Sequence, residues 1–257
     1  YQLRHRASDA ERFYIETLYD RDFTGNLDRE RRTLETWATT YPRDARPHNL
    51  LSGLALSSTG QHELALAEAE KGIALDPDLA PNRSSKAFHQ LMLNRLDDAS
   101  QTVRLALERG LDSDNLVQTR YFVAFLTGNE SELRRIAIEA RKSPATEDII
   151  SHVEALALAR SGRLQDARRM AAVAVQSAQK SGRRERGGLF EAATAVWEAF
   201  YGNPAAARQS ATRALELGKG GREVEYAAAF ALALARDLPQ ARILAQELAR
   251  EFPEDTS

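Results

Sequence analysis

The chain has 257 residues, a formal net charge of −2 and no cysteine. That near-neutral balance excludes a global pull toward nucleic acid or anionic membrane, and the missing thiols exclude disulfides and cysteine metal sites. An apolar content of 43% and a charged content of 28% suit a folded chain, while no apolar run approaches the roughly 18 residues that span a bilayer. Five lysines (Lys71, Lys86, Lys142, Lys180 and Lys219) leave thirty arginines. These scatter along the sequence and read as compositional bias, not as phosphate recognition, which would gather them on one face.

In chain order, Ser8 followed by Glu11 forms a capping-box signature and predicts a first helix beginning near Asp9, with residues 1–7 preceding it. From there one position recurs: Glu30, Ala65, Ala99, Leu133, Ala167, Ala207 and Ala241, separated by 35, 34, 34, 34, 40 and 34 residues. A period of about 34 is the length of a tetratricopeptide unit, two antiparallel helices that bury their apolar faces only by stacking on neighbours. The units fall at about 9–44, 46–79, 80–113, 114–147, 148–187, 188–221 and 222–255. Two further series share the phase. Where helices cross closely stand Leu18, Gly53, Ala87, Tyr121, Ala155, Ala195 and Ala229, and again Trp37, Gly72, Ala106, Ala140, Ala174, Ala214 and Leu248. Between paired helices stand Gly25, Gly60, Asn94, Gly128, Gly162, Gly202 and Arg236, mostly residues that tolerate the left-handed conformation ending a helix. Pro42, Pro77 and Pro253 close second helices. The predicted fold is all-α, a solenoid of about seven helix-turn-helix units in a right-handed superhelix.

Two units depart from the pattern. The fourth carries Tyr121 and Leu133 where small residues are expected, so its helices should stand further apart. Asp112, Asp114 and Asn115 before it lack the glycine and terminal glutamate of a calcium loop and read as helix caps. The 40-residue gap adds six residues around Gln179–Gly188, basic and glycine-bracketed, which lengthen an adjoining helix or form a protruding loop. Three arginines without interleaved aromatics read there as a solvated turn and not as a nucleic-acid patch.

The runs Glu11-Arg12-Phe13-Tyr14-Ile15-Glu16, Trp37-Ala38 and Tyr41-Pro42-Arg43-Asp44 carry a further likeness. So do Tyr121–Asn129, Arg163-Leu164-Gln165-Asp166-Ala167-Arg168 and Phe200-Tyr201-Gly202-Asn203. Together they resemble a tetratricopeptide domain found C-terminal to Hanks-type serine/threonine kinases of acidobacteria, or behind winged-helix regulators. The resemblance implies a regulatory or docking module of a bacterial signalling protein, with any kinase domain outside these residues. Tyr1 in place of methionine, and a stop shortly after Pro253, fit a segment of a longer chain.

Catalysis finds no support. The five histidines, His5, His48, His62, His89 and His152, lie at least 14 residues apart without metalloprotease spacing. His62 reads as surface and His152 as facing a groove. No nucleophile has a plausible base, no kinase phosphate loop or catalytic loop is present, and no cofactor or metal is expected. In tetratricopeptide stacks the first helix of each pair lines the concave side. Transferring its inward positions gives Tyr19, Phe23, Leu54, Phe88, Leu91, Met92, Gln118, Phe122, Phe125, Leu126, His152, Leu156, Arg160, Phe200, Tyr226 and Phe230. An apolar strip of this kind marks a partner surface, so the expected ligand is a protein or peptide. The clamp that grips a chaperone's terminal carboxylate is not expected, because Leu50, Ser84, Gln118, Leu54, Phe88 and Phe122 stand where its cations and amides belong. The alternative is a small-molecule sensor near His152 and Arg160 in a winged-helix regulator. Self-association through an exposed last helix (Leu244, Leu248, Phe252) is a third expectation.

Overall fold

The computed structural model describes residues 1–111, 113–142 and 144–256. Fourteen α-helices follow one another among these residues, about seven antiparallel pairs packed in sequence. The pairs are α1 (Asp9–Leu18) with α2 (Leu27–Thr40), α3 (Ala45–Leu50) with α4 (His62–Leu75), and α5 (Ala80–Met92) with α6 (Leu96–Glu108). Next α7 (Asp114–Leu126) is followed in sequence by α8 (Glu130–Ala140), and α9 (Pro144–Arg160) pairs with α10 (Leu164–Lys180). The last are α11 (Arg184–Phe200) with α12 (Pro204–Leu217), and α13 (Arg222–Leu234) with α14 (Leu238–Glu251). α1 and α3 run on into wider π-turns, Tyr19–Thr24 and Leu51–Leu56. No helix of the described residues is long and apolar enough to cross a membrane.

Turn chemistry sets the hairpins. All seven residues between paired helices adopt positive φ, from 58° at Asn94 to 76° at Gly202, and Arg236 does so at 60°. The following amide then reaches back five residues to an orphaned carbonyl, as in Gln61 to Leu56, Asn203 to Glu198 and Asp237 to Leu232, each at 2.9 Å. Ser8 and Glu11 form the capping box, and the helix starts at Asp9. Ser113 caps α7 by accepting from the Leu116 amide; Asp112, expected to share that role, and the side chain of Asp114 lie outside the described residues.

The chain parts into two units, Tyr1–Gly128 with the tail from Phe252, and Asn129–Glu251. The division falls between α7, which carries Tyr121, and α8, which carries Leu133.

In the first unit, fully buried Trp37 stacks on Phe13 at 6.0 Å and packs with Leu34, Leu51, Leu56 and Ala65. Its indole N–H donates to Asp44, which also caps α3. Glu30 occupies a crossing position that takes alanine in five of the seven units; it is buried and meets Arg21 at 3.4 Å. The tail returns to this unit. The Thr256 hydroxyl accepts from the Leu27 and Asp28 amides at the start of α2, and Glu254 pairs with Arg29 at 2.7 Å.

In the second unit, Ala167, Ala174, Ala195, Ala207 and Ala214 are fully buried at the crossings, whereas Ala229, expected at the last one, is half-buried and its neighbour Ala228 is fully buried. Small side chains there let backbones approach, and the gain is close packing. The six extra residues lengthen helices: α10 and α11 each have 17 residues, and only three residues join them. No loop protrudes. Gly188 sits inside α11 because a Cβ there would lie 2.9 Å from the Gly218 nitrogen and 3.1 Å from the Ala214 oxygen. Leu244, expected on an exposed face, is buried against Ala228 and Ala231, while Leu248 and Phe252 are half-buried. The 3.6-residue period turns Leu244 inward and leaves Leu238 and Ile243 outward.

The arginines have a structural use that bias alone does not capture. Arg168 grips buried Glu198 with two bonds of 2.6 and 2.9 Å, and Arg183 and Arg186 meet buried Asp148. Arg29 holds buried Asp20 at 2.6 Å. A guanidinium fork reaches an interior carboxylate while its stem stays at the surface. The basic stretch at the start of α11 is thus partly an internal counter-charge, not simply a solvated turn.

Candidate functional site

The first helices of successive hairpins supply the candidate surface. In the first unit the π-turn of α3, then α5, then α7 lie side by side. Between them opens a cleft of about 210 Å³ lined by Gly53, Ser57, Ser84, Ser85, Phe88, His89, Asn115, Gln118 and Thr119. Phe88 and Gln118 from the expected groove meet here. Gly53 keeps the wall thin, since a Cβ would approach the Ser85 hydroxyl to 3.1 Å.

The polar groups of the cleft divide in two. Some are committed: the Ser84 and Ser113 hydroxyls share a bond of 2.8 Å, and Thr119 donates to the Asn115 carbonyl. His89 is fully buried, with Nε2 3.0 Å from the Ser52 carbonyl and Nδ1 3.2 Å from Nδ1 of His62. Burial pushes its pKa below the ordinary histidine value; the Ser52 carbonyl opposes that shift and the neighbouring His62 adds to it. His62, expected at the surface, is therefore half-buried against His89 and the edge of Phe88. Among the described residues no charged side chain lines the cleft. Ser57, Ser85, Asn115 and Gln118 remain as donors and acceptors for a ligand.

The other expected residues of this unit lie on the same helices. Leu54, Leu91, Phe122 and Phe125 are half-buried, while Met92 and Leu126 stand exposed. Tyr19 is not open groove wall: Tyr1 stacks on it at 3.7 Å, and Phe23 follows at 4.9 Å, 66% exposed. Arg4 covers the outer face of Tyr1 at 4.0 Å.

In the second unit α9, α11 and α13 carry the expected positions. Phe200 is 67% and Tyr226 62% exposed, and Phe230 is also exposed, unusual for large aromatics on helices that bury another face. His152 stacks on Phe190 at 4.3 Å, one turn from Asp148, so a ring face expected to meet a ligand is already covered. Burial drives its pKa down to about 4, partly opposed by Asp148. Arg160 is exposed and Leu156 half-buried with Ala159, Ala167 and Trp197.

Sequence reasoning missed His89, Ser57, Ser85, Asn115 and Thr119. The available signal was the polar pair at one register, Ser84-Ser85 and Gln118-Thr119, repeated 34 residues apart on faces otherwise apolar.

No protein-family profile and no curated protein matches the chain by sequence. Solved structures match by fold. A chain of the APC/C hetero-tetramer Cut9-Hcn1 superposes with a TM-score of 0.54 at 13% identity. That match covers 96% of this chain and 52% of the other, so this chain spans about half its length. A tetratricopeptide repeat protein from Parabacteroides merdae gives a TM-score of 0.49 at 10% identity, covering 96% and 98%. YrrB, described as a TPR protein with an unusual peptide-binding site, gives 0.34 at 18% identity, covering 86% and 92%. The fold is that of tetratricopeptide repeat proteins.

Proposed function

We propose that this chain is a noncatalytic scaffold whose first helices display a groove for a protein or an extended peptide. The carrying observation is the uncharged cleft of Phe88, Gln118 and Asn115, continued by exposed Met92 and Leu126 on the same helices. Apolar rings supply area removed from water, while the uncommitted carboxamides and hydroxyls fix orientation. With no cation among the described residues of the cleft, a terminal carboxylate or phosphate lacks a counter-charge there, so the ligand is recognised through neutral groups. The volume of about 210 Å³ falls below the roughly 300 Å³ of a drug-sized site, which favours a peptide side chain over a whole metabolite. The Phe190 ring over His152 likewise favours the peptide reading over the sensor. The likeness of Ser8–Tyr41 to domains behind bacterial kinases supports a regulatory or docking role in a signalling protein.

Peptides selected from a display library against the full chain test this reading. Phe88→Glu and Gln118→Ala should each weaken a selected peptide by about tenfold or more, with helical content unchanged by circular dichroism. Undiminished binding by both variants would remove the cleft from the account. A sharp thermal stabilisation by one metabolite, with no peptide selected, would establish the sensor instead.

A further inference from the structure

His62 and His89 are 27 residues apart in sequence, yet their Nδ1 atoms face each other at 3.2 Å. His89 Nε2 lies 3.0 Å from the Ser52 carbonyl. A carbonyl only accepts, so Nε2 carries the proton and Nδ1 presents its lone pair toward His62. Two imidazole nitrogens on one tetrahedral ion, each at about 2.0–2.1 Å, stand about 3.3 Å apart. The rings already have that separation. A backbone carbonyl on the remote nitrogen of one ligand is also the arrangement that fixes tautomer and ring direction in metal sites. His62 opens α4 and is half-buried, which leaves an ion a way in from solvent.

The geometry points to an open two-histidine site for a divalent transition ion, made by Nδ1 of His62 and Nδ1 of His89. Among the described residues no group of three or more His, Cys, Asp or Glu side chains gathers, so the protein supplies two donors here. The remaining positions belong to water or to a donor from a bound ligand, since His89 also lines the cleft. Imidazole selects zinc, nickel, copper or cobalt over magnesium and calcium, which require oxygen. Bound metal would tie the start of α4 to α5, adding to the Lys86–Glu70 ion pair and the His89–Ser52 hydrogen bond that already join the two hairpins. The site stands independently of the peptide reading.

Thermal melting of the full chain in chelator, in Zn²⁺ and in Mg²⁺, tests it alongside visible spectra in Co²⁺. Zn²⁺ should raise the melting temperature and Mg²⁺ should not, and Co²⁺ should give the absorption of a nitrogen-bound tetrahedral ion. His62→Gln keeps an amide donor for the His89 lone pair but should weaken metal by about tenfold or more. His48→Gln, which removes the histidine paired with Glu68, should leave the metal response intact. Cobalt absorption is read on the folded fraction, so a loss of stability in a variant does not mask it. No zinc shift, an equal response in His62→Gln, or a response lost in His48→Gln would each overturn the site and leave a plain imidazole hydrogen bond.

Discussion

The two units repeat one hairpin but fill its crossings differently. The second unit relies on alanine: Ala192, Ala195, Ala211, Ala214, Ala228 and Ala231 are all fully buried. Its interior carboxylates, Asp148 and Glu198, each meet arginine. The first unit places larger and more polar groups inside, among them Trp37, Glu30, Asn82, Ser84 and His89. Its first two hairpins widen into π-turns, a departure frequent at functional sites. The buried Ser52 hydroxyl and both polar atoms of Asn82 lack hydrogen-bond partners, and Asn82 packs where a Cβ on Gly72 would otherwise stand. Uniform small contacts give one close packing. Mixed contacts border the uncharged cleft of Phe88 and Gln118 in the first unit, whereas the second unit's cavity of about 600 Å³ is lined by charged Arg208, Glu216, Lys219 and Asp237.

Trp37→Ala should break the first unit most severely, by about 4 kcal/mol, because it empties the largest fully buried site. Hydrogen exchange followed by mass spectrometry should show protection falling in α1–α4 while α10–α13 keep theirs; uniform loss would mean the units do not differ in this way. In the second unit, Arg168→Met leaves Glu198 buried without its counter-charge and should cost about 3 kcal/mol, with Arg168's partial exposure placing it near the low end. Adding Glu198→Leu should restore most of that in urea titration, and failure of the double variant to recover would show the pair to be more than charge neutralisation.

His152 gives the second unit a pH response. Its folded pKa of about 4 lies below the unfolded value of about 6.5, so the unfolded chain binds the proton more readily. Its stabilising contribution is present above about pH 6.5 and is lost as pH falls through 4, about 3 kcal/mol in all. Stability measured between pH 7 and 4 should flatten in His152→Phe, which keeps the stack on Phe190 without a titrating group. An unchanged slope would assign the response elsewhere. The smallest effect lies at the turns. Arg236→Gly should stabilise the second unit by about 1 kcal/mol, because φ is positive at a residue with a Cβ. Asn94→Gly should gain less in the first, as asparagine tolerates that conformation. Equal gains would show that the asparagine side chain gives no local help.

The helix pairs were legible because a turn is written locally: a Gly25-type position, a cap such as Ser8, and a closing proline such as Pro77 are each readable without knowing what lies opposite. The buried alanines were legible for the same reason, since a crossing tolerates few side chains. The candidate groove was legible only in part. Phe88 and Gln118 share a cleft as their register implies, whereas Tyr19 lies under Tyr1 and His152 under Phe190. Which ring covers another depends on residues from separate elements, and periodicity holds no record of that.

Sequence alone determined that the chain is a series of antiparallel helix pairs, since period, turn conformation and small-residue spacing act over a few residues at a time. The tertiary structure decided which arginine answers which buried carboxylate, that Leu244 faces inward, and that two histidines 27 positions apart come within hydrogen-bonding distance. Those outcomes depend on distances between helices that have no fixed separation in sequence, and they are settled only when the hairpins pack.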